Sequence, residues 1–214
     1  MKVGLFGGSF DPIHLGHLRC AEELVELLDL DKMIFIPAAR QPLKEERSLL
    51  SFHHRAAMVR IAIAGNPSFA LSEREYRREG PSYSIDTVRE FVREYPDGTE
   101  FCFIMGQDAF QDITCWKDWR DLLQCYSIIV MTRPGSEEKT LRDVLPADDR
   151  ADFSYDAADE CYRGNRGGAV CFRRLTLLDI SSTDIRRRCA ARRSIRYLLP
   201  DGVMSYIESG GLYR

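Results

Sequence analysis

The chain has 214 residues, 44% of them hydrophobic and 29% charged, with a formal net charge of −3. That balance suits one compact domain with a sizeable core and excludes a chain that is disordered by default. It supplies no field for indiscriminate DNA or RNA binding, no apolar run is long enough to span a membrane, and no charged region precedes an apolar signal core, so a cytoplasmic location is expected.

In chain order, Lys2–Phe6 reads as a short buried strand. From Leu15 the apolar residues Leu15, Leu18, Ala21, Val25 and Leu28 recur at helical spacing. The stretch Gly7 to His17, GGSFDPIHLGH, therefore sits at a strand-to-helix junction. Gly7 and Gly8 leave room for an anion to approach the backbone, and the following helix offers unpaired amides and a positive dipole end. Asp11-Pro12 is a turn signal, and His14 and His17, at i and i+3, are expected to share one face. A metal site is the rival reading, because Cys20 extends the series. On a helix His14 and Cys20 lie about 120° apart and converge poorly on one ion, so no protein-held metal is expected.

Further strands are predicted near Met33–Ile36, Phe69–Leu71, Phe101–Met105 and Ser127–Met131, and helices near Phe52–Ala64, Ile85–Tyr95 and Asp118–Leu123. Alternation of strand and helix predicts an α/β fold, a doubly wound parallel sheet covered on both faces. Gly106-Gln107-Asp108 follows a strand directly, where parallel sheets bind ligands and an aspartate can hold a ribose. Trp116 and Trp119 come next, either as core or as a platform for an aromatic ring.

After Arg133-Pro134-Gly135 the periodicity dissolves, and residues 136–172, with the glycines of Gly164–Gly168, read as an insertion or mobile surface segment. The pattern resumes with a strand-like Leu175–Ile180, and C-terminal helices are predicted over 182–210. In Ile180–Arg186, ISSTDIR, Ser181 and Ser182 can cap a helix and also donate to phosphate oxygens, while Arg186 reaches the same anion. The basic run Arg186–Arg188, Arg192 and Arg193 reads mostly as a solvated helix face. Seven cysteines, an odd number without a C-x-x-C pair, read as reduced thiols.

Taken together, GGSFDPIHLGH at 7–17, GPSYSIDT at 80–87, MGQDAF at 105–110, WKDW at 116–119, TRPG at 132–135, ISSTDIR at 180–186 and YLLPDGVMSYI at 197–207 resemble the bacterial nicotinate-nucleotide adenylyltransferases, within the HxGH nucleotidyltransferase superfamily. The resemblance implies a Rossmann-like fold with a small C-terminal helical part. It implies transfer of AMP from ATP to nicotinate mononucleotide in NAD biosynthesis, with magnesium carried by the ATP phosphates. Catalytic roles fall to His14, His17 and Arg186, and ATP contacts to Gly7, Gly8, Ser9, Phe10, Gly106, Ser181 and Ser182. Ser9, Lys44, Ser84, Thr87, Asp108, Trp116 and Arg133 fall to the mononucleotide. The partners implied are these two small molecules, with neither nucleic acid nor membrane, and a homo-oligomer is compatible with the resemblance. Ala39 and Leu43 stand where the family often carries asparagine and histidine. Transfer to nicotinamide mononucleotide or phosphopantetheine, and a non-catalytic nucleotide-binding module, are the alternatives.

Overall fold

Apolar residues fill both faces of the central strands, and this fixes the architecture. In β1 (Lys2–Gly8), Val3 and Leu5 point into one core and Phe6 into another. The same period-2 split separates Ile34 and Ile36 from Met33 and Phe35 in β2 (Lys32–Pro37). A strand buried on both sides has no polar face to show solvent, so helices must cover each side.

The computed structural model describes residues 1–42, 49–132, 139–176 and 178–214. Through the first half, α1 (Leu15–Leu28) joins β1 to β2, and α2 (Phe52–Ile63) leads to β3 (Phe69–Leu71). Then follow α3 (Arg74–Arg77), α4 (Ser84–Glu94), β4 (Glu100–Gly106), α5 (Gln107–Gln111), α6 (Trp119–Cys125) and β5 (Ser127–Thr132). The second half holds α7 (Leu141–Val144), α8 (Ala147–Arg150), β6 (Phe153–Asp156), β7 (Cys161–Gly164), β8 (Ala169–Arg174), α9 (Ser182–Ala190) and α10 (Asp201–Ser209). Among the described residues the strands form one sheet in the order β3-β2-β1-β4-β5-β8-β7-β6. Strands β3 to β8 pair in parallel as far as β5–β8, while β7 and β6 add an antiparallel edge. Helices α1, α2, α9 and α10 bury their apolar stripes in one core, through residues such as Leu24, Val59, Ile185 and Val203. Helices α4, α5 and α6 close the other with Phe91, Phe110 and Leu122. The expected doubly wound sheet is therefore present, and its winding reverses between β1 and β4, where open α/β sheets form a ligand crevice.

Three expectations require correction. The stretch read as an insertion or mobile segment is built into the sheet over its described part, residues 139–172, with β8 paired along β5 from Ser127↔Ala169 to Thr132↔Arg174. Its glycines serve close approach: a Cβ on Gly168 would lie 2.5 Å from the backbone carbon of Gln124, and Gly168 N–H donates to Gln124 O at 2.7 Å. The strand expected at Leu175–Ile180 is displaced to Ala169–Arg174, because the pairing with β5 is made by the shorter apolar run Ala169–Phe172. Finally, Cys161 and Cys171 form a disulfide. Antiparallel pairing of β7 with β8 sets them directly opposite, with Cα atoms 4.4 Å apart, a relation that follows from the register of a hairpin and from no sequence motif. The other five cysteines are free thiols.

Candidate active site

The crevice at the ends of β1 and β4 is where the two signature segments meet. His14 is the N-cap of α1, one residue before the helix, and His17 is its third residue. Each ring Nδ1 accepts the other residue's backbone N–H, His17 N to His14 at 3.4 Å and His14 N to His17 at 3.3 Å. The two rings stack with centroids 3.7 Å apart. They share a face, as expected, but as a reciprocal cap that satisfies two orphan donors of the helix start. An imidazole nitrogen that accepts an N–H carries no proton, so each neutral ring holds its hydrogen on Nε2. Gly16 makes this possible: a Cβ there would lie 3.0 Å from His14 Nδ1. Burial, and after it the electrostatic influence of the adjacent His14 imidazole, push His17 well below the ordinary imidazole value, so it is neutral at pH 7.

Helix α9 docks against the same turn. Ser182 Oγ donates to Pro12 O at 2.9 Å, and Arg186 Nη1 donates to Asp11 O at 2.7 Å. Ser181 is the N-cap, its hydroxyl accepting the Asp184 N–H at 3.1 Å. Asp11 itself is 1% exposed. Its Oδ1 accepts from Tyr213 Oη at 2.6 Å, and its buried Oδ2 has Arg186 Nη1 at 3.9 Å. Desolvation and the Asp11 carboxylate both drive the Tyr213 phenol upward, so it stays protonated and remains a donor.

Ser9 lies half-buried just beyond β1 and Gly106 at the end of β4, where a Cβ would meet nothing within 4 Å. Gly7 and Gly8 end β1. Asp108 is exposed on the first turn of α5. Ser84 opens α4, and Trp116 is half-buried. Lys117, beside Trp116, is latched to that first turn, with its Nζ 2.9 Å from Asp86 Oδ2 and 4.9 Å from the centre of the Tyr83 ring.

Two expected contacts are corrected. Phe10 is 1% exposed, and its ring packs between Phe6, Phe35 and His17, so its side chain shapes the pocket from beneath rather than lining it. Thr87 is completely buried, and its hydroxyl donates to Glu75 Oε1 at 2.8 Å. It holds a carboxylate that braces the loop after β2 rather than meeting a ligand. Ser82 Oγ accepts the N–H groups of Ala39 and Arg40, both at 3.1 Å, and its hydroxyl and the Ala39 N–H also bond Glu75. Burial nonetheless raises the Glu75 carboxyl above its ordinary value. Lys44 and Arg133 lie outside the described residues.

Arg55 and Gln41 were not anticipated. Arg55 of α2, 2% exposed, donates from Nη1 to Ser9 O at 2.7 Å, from Nη2 to Ala38 O at 2.8 Å and from Nε to Leu50 O at 3.0 Å. One guanidinium thus ties the ends of β1 and β2 together. Gln41 Nε2 donates to Ser9 Oγ at 2.9 Å. A signal for Arg55 existed: it falls on the stripe Phe52, Ala56, Val59 and Ile63, all buried.

A Cytidylyltransferase-like family profile matches residues 5–188. The "Probable nicotinate-nucleotide adenylyltransferase" of Syntrophotalea carbinolica is 47% identical over 214 residues, covering 100% of this chain and 98% of that protein. The protein of the same description from Pelobacter propionicus is 45% identical over 213 residues, with the same coverage. Among solved structures, the nicotinic acid mononucleotide adenylyltransferase of Plasmodium falciparum complexed with NaAD superposes with a TM-score of 0.73 at 18% identity, covering 99% of this chain and 97% of that one. At that identity the likeness speaks for the fold. With nearly full-length relatives at this level of identity, the chain belongs to the cytidylyltransferase-like family and, within it, to the nicotinate-nucleotide adenylyltransferases.

Proposed function

We propose that the protein transfers the adenylyl group of ATP to nicotinate mononucleotide, giving deamido-NAD and pyrophosphate. The observation that carries this reading is the meeting of the His14–His17 pair with the start of α9 at the Asp11-Pro12 turn, beyond the end of β1. A phosphate oxygen of the mononucleotide attacks the α-phosphorus, the new P–O bond forms, and the bond to the β-phosphate breaks with its electron pair leaving on pyrophosphate. The attacking oxygen is already anionic near pH 7, so positioning and charge stabilisation dominate and no general base is required.

His17 serves as a neutral donor: with Nδ1 engaged, its Nε2–H is the hydrogen offered to a non-bridging oxygen of the α-phosphate. His14 and the α9 amides hold the triphosphate, joined by the guanidinium of Arg186, which Asp11 O anchors on one side. Ser84, Asp108 and Trp116 border the mononucleotide, and Lys44 and Arg133 are assigned to its phosphate. ATP enters as its magnesium complex, which neutralises phosphate charge.

The test is pyrophosphate release by purified protein with ATP and magnesium, offered each acceptor separately. Nicotinate mononucleotide is expected to give the fastest release. A rate no higher than with phosphopantetheine overturns the reading, and a faster rate with nicotinamide mononucleotide reassigns the acceptor.

A further inference from the structure

The basic run at the end of the chain divides in two. Arg187 and Arg188 share one carboxylate partner, Asp184, at 2.5 and 2.6 Å. Among the described residues the side chains of Arg192 and Arg193 make no hydrogen bond or ion pair, although both are exposed beside a concave surface. That surface is a cavity of about 570 Å³, bounded by the end of α9, the loop after it, α10 and the last residues described.

Arg192, Arg193, Arg196 and Arg214 all line it, and Glu208 is its sole acidic side chain. The chain as a whole carries a net charge of −3, so this local excess of cations is no reflection of bulk composition. Ile195 and Ile207, both buried, and half-buried Met204 supply an apolar wall. None of the lining residues belongs to the candidate active site.

Planar guanidinium groups with spare donors match phosphate oxygens in pairs and also stack on aromatic rings. An apolar wall of this kind is of no use to a bare anion. The volume lies in the usual range for a small-molecule site, and concavity favours a small ligand over a flat acidic protein surface. We propose that this cavity is a second nucleotide site, which takes a nucleoside polyphosphate with its phosphates on Arg192, Arg193, Arg196 and Arg214 and its base against Ile195, Met204 and Ile207.

The test is calorimetric titration of the full chain with ADP. The wild type is expected to show two classes of site. Arg192→Asn with Arg193→Ser weakens one class by about tenfold or more, the scale of two lost charged hydrogen bonds, and leaves the other class and pyrophosphate release unchanged. Asparagine is chosen because Arg192 has φ 54°, a conformation asparagine tolerates. Glu208→Gln, which removes the opposing charge, tightens the same class by about threefold. That variant carries the test if the double substitution unfolds the protein, and an unchanged second class then overturns the proposal. A single class in the wild type, or two undiminished classes in the folded double variant, also overturns it. Inorganic tripolyphosphate that binds the second class as tightly as ADP removes the base from the site. A single-stranded DNA oligonucleotide that outcompetes ADP there makes it a polyanion surface instead.

Discussion

His14 and His17 cap one another, each ring accepting the backbone N–H of the other while the rings stack 3.7 Å apart. The same pair of bonds that starts α1 also fixes which nitrogen of each imidazole bears hydrogen. Folding and the proposed catalytic role therefore draw on one geometry.

His17→Ala is expected to lower turnover by about a hundredfold or more, the usual loss for one donor to a transition state, with a small change in KM for ATP. Steady-state pyrophosphate release measures it, and turnover within threefold of wild type removes His17 from the mechanism.

The depressed His17 ionisation has a stability consequence. The unfolded chain takes up the proton at the ordinary value of 6.5, whereas the folded chain takes it up only at lower pH. Stability is therefore full above 6.5 and declines as the pH falls through that value toward the lower folded one. Urea unfolding between pH 8 and about 5 should show this decline in the wild type and a shallower one in His17→Gln.

Arg55→Met removes three donors from the carbonyls of Ser9, Ala38 and Leu50 at a buried site. A loss of about 3 kcal/mol in unfolding free energy is expected, together with a raised KM for both substrates, because the ends of β1 and β2 lose their tie. Wild-type KM values in a folded Arg55→Met protein contradict this role.

Tyr213→Phe leaves the buried Asp11 carboxylate without its phenol donor. The expected cost is about 2 kcal/mol, read from the shift in urea midpoint at constant slope. An unchanged midpoint shows that Asp11 finds another donor.

Gly168→Ala drives a Cβ to 2.5 Å from the Gln124 backbone, which cannot step aside as a side chain does. A loss of about 2 kcal/mol or more is expected by thermal or urea unfolding. Gly167→Ala is the control in open space, where only its φ of 90° opposes the change.

Strands β1 to β5 and helices α1, α2, α4 and α6 were legible because their apolar periodicity is local. Both turns assigned to phosphate were legible as local motifs too, because glycines, caps and histidines act within a few residues of one another. Arg55 was not singled out, since charge is read as exposure until partners distant in sequence are known. Thr87 was misassigned because its hydroxyl has a buried partner, Glu75, that no spacing announces.

What the sequence determined by itself is thus the chemistry available: a strand-to-helix turn with two histidines, and a second turn with serines and an arginine. Tertiary structure alone decided that these turns share one place, through bonds from Ser182 and Arg186 to the carbonyls of Pro12 and Asp11. It also decided that residues 169–174 extend the sheet and that Cys161 faces Cys171. The physical reason is common to all of these. Register and docking depend on backbone groups, which every residue carries alike, and only the completed fold settles which of them meet.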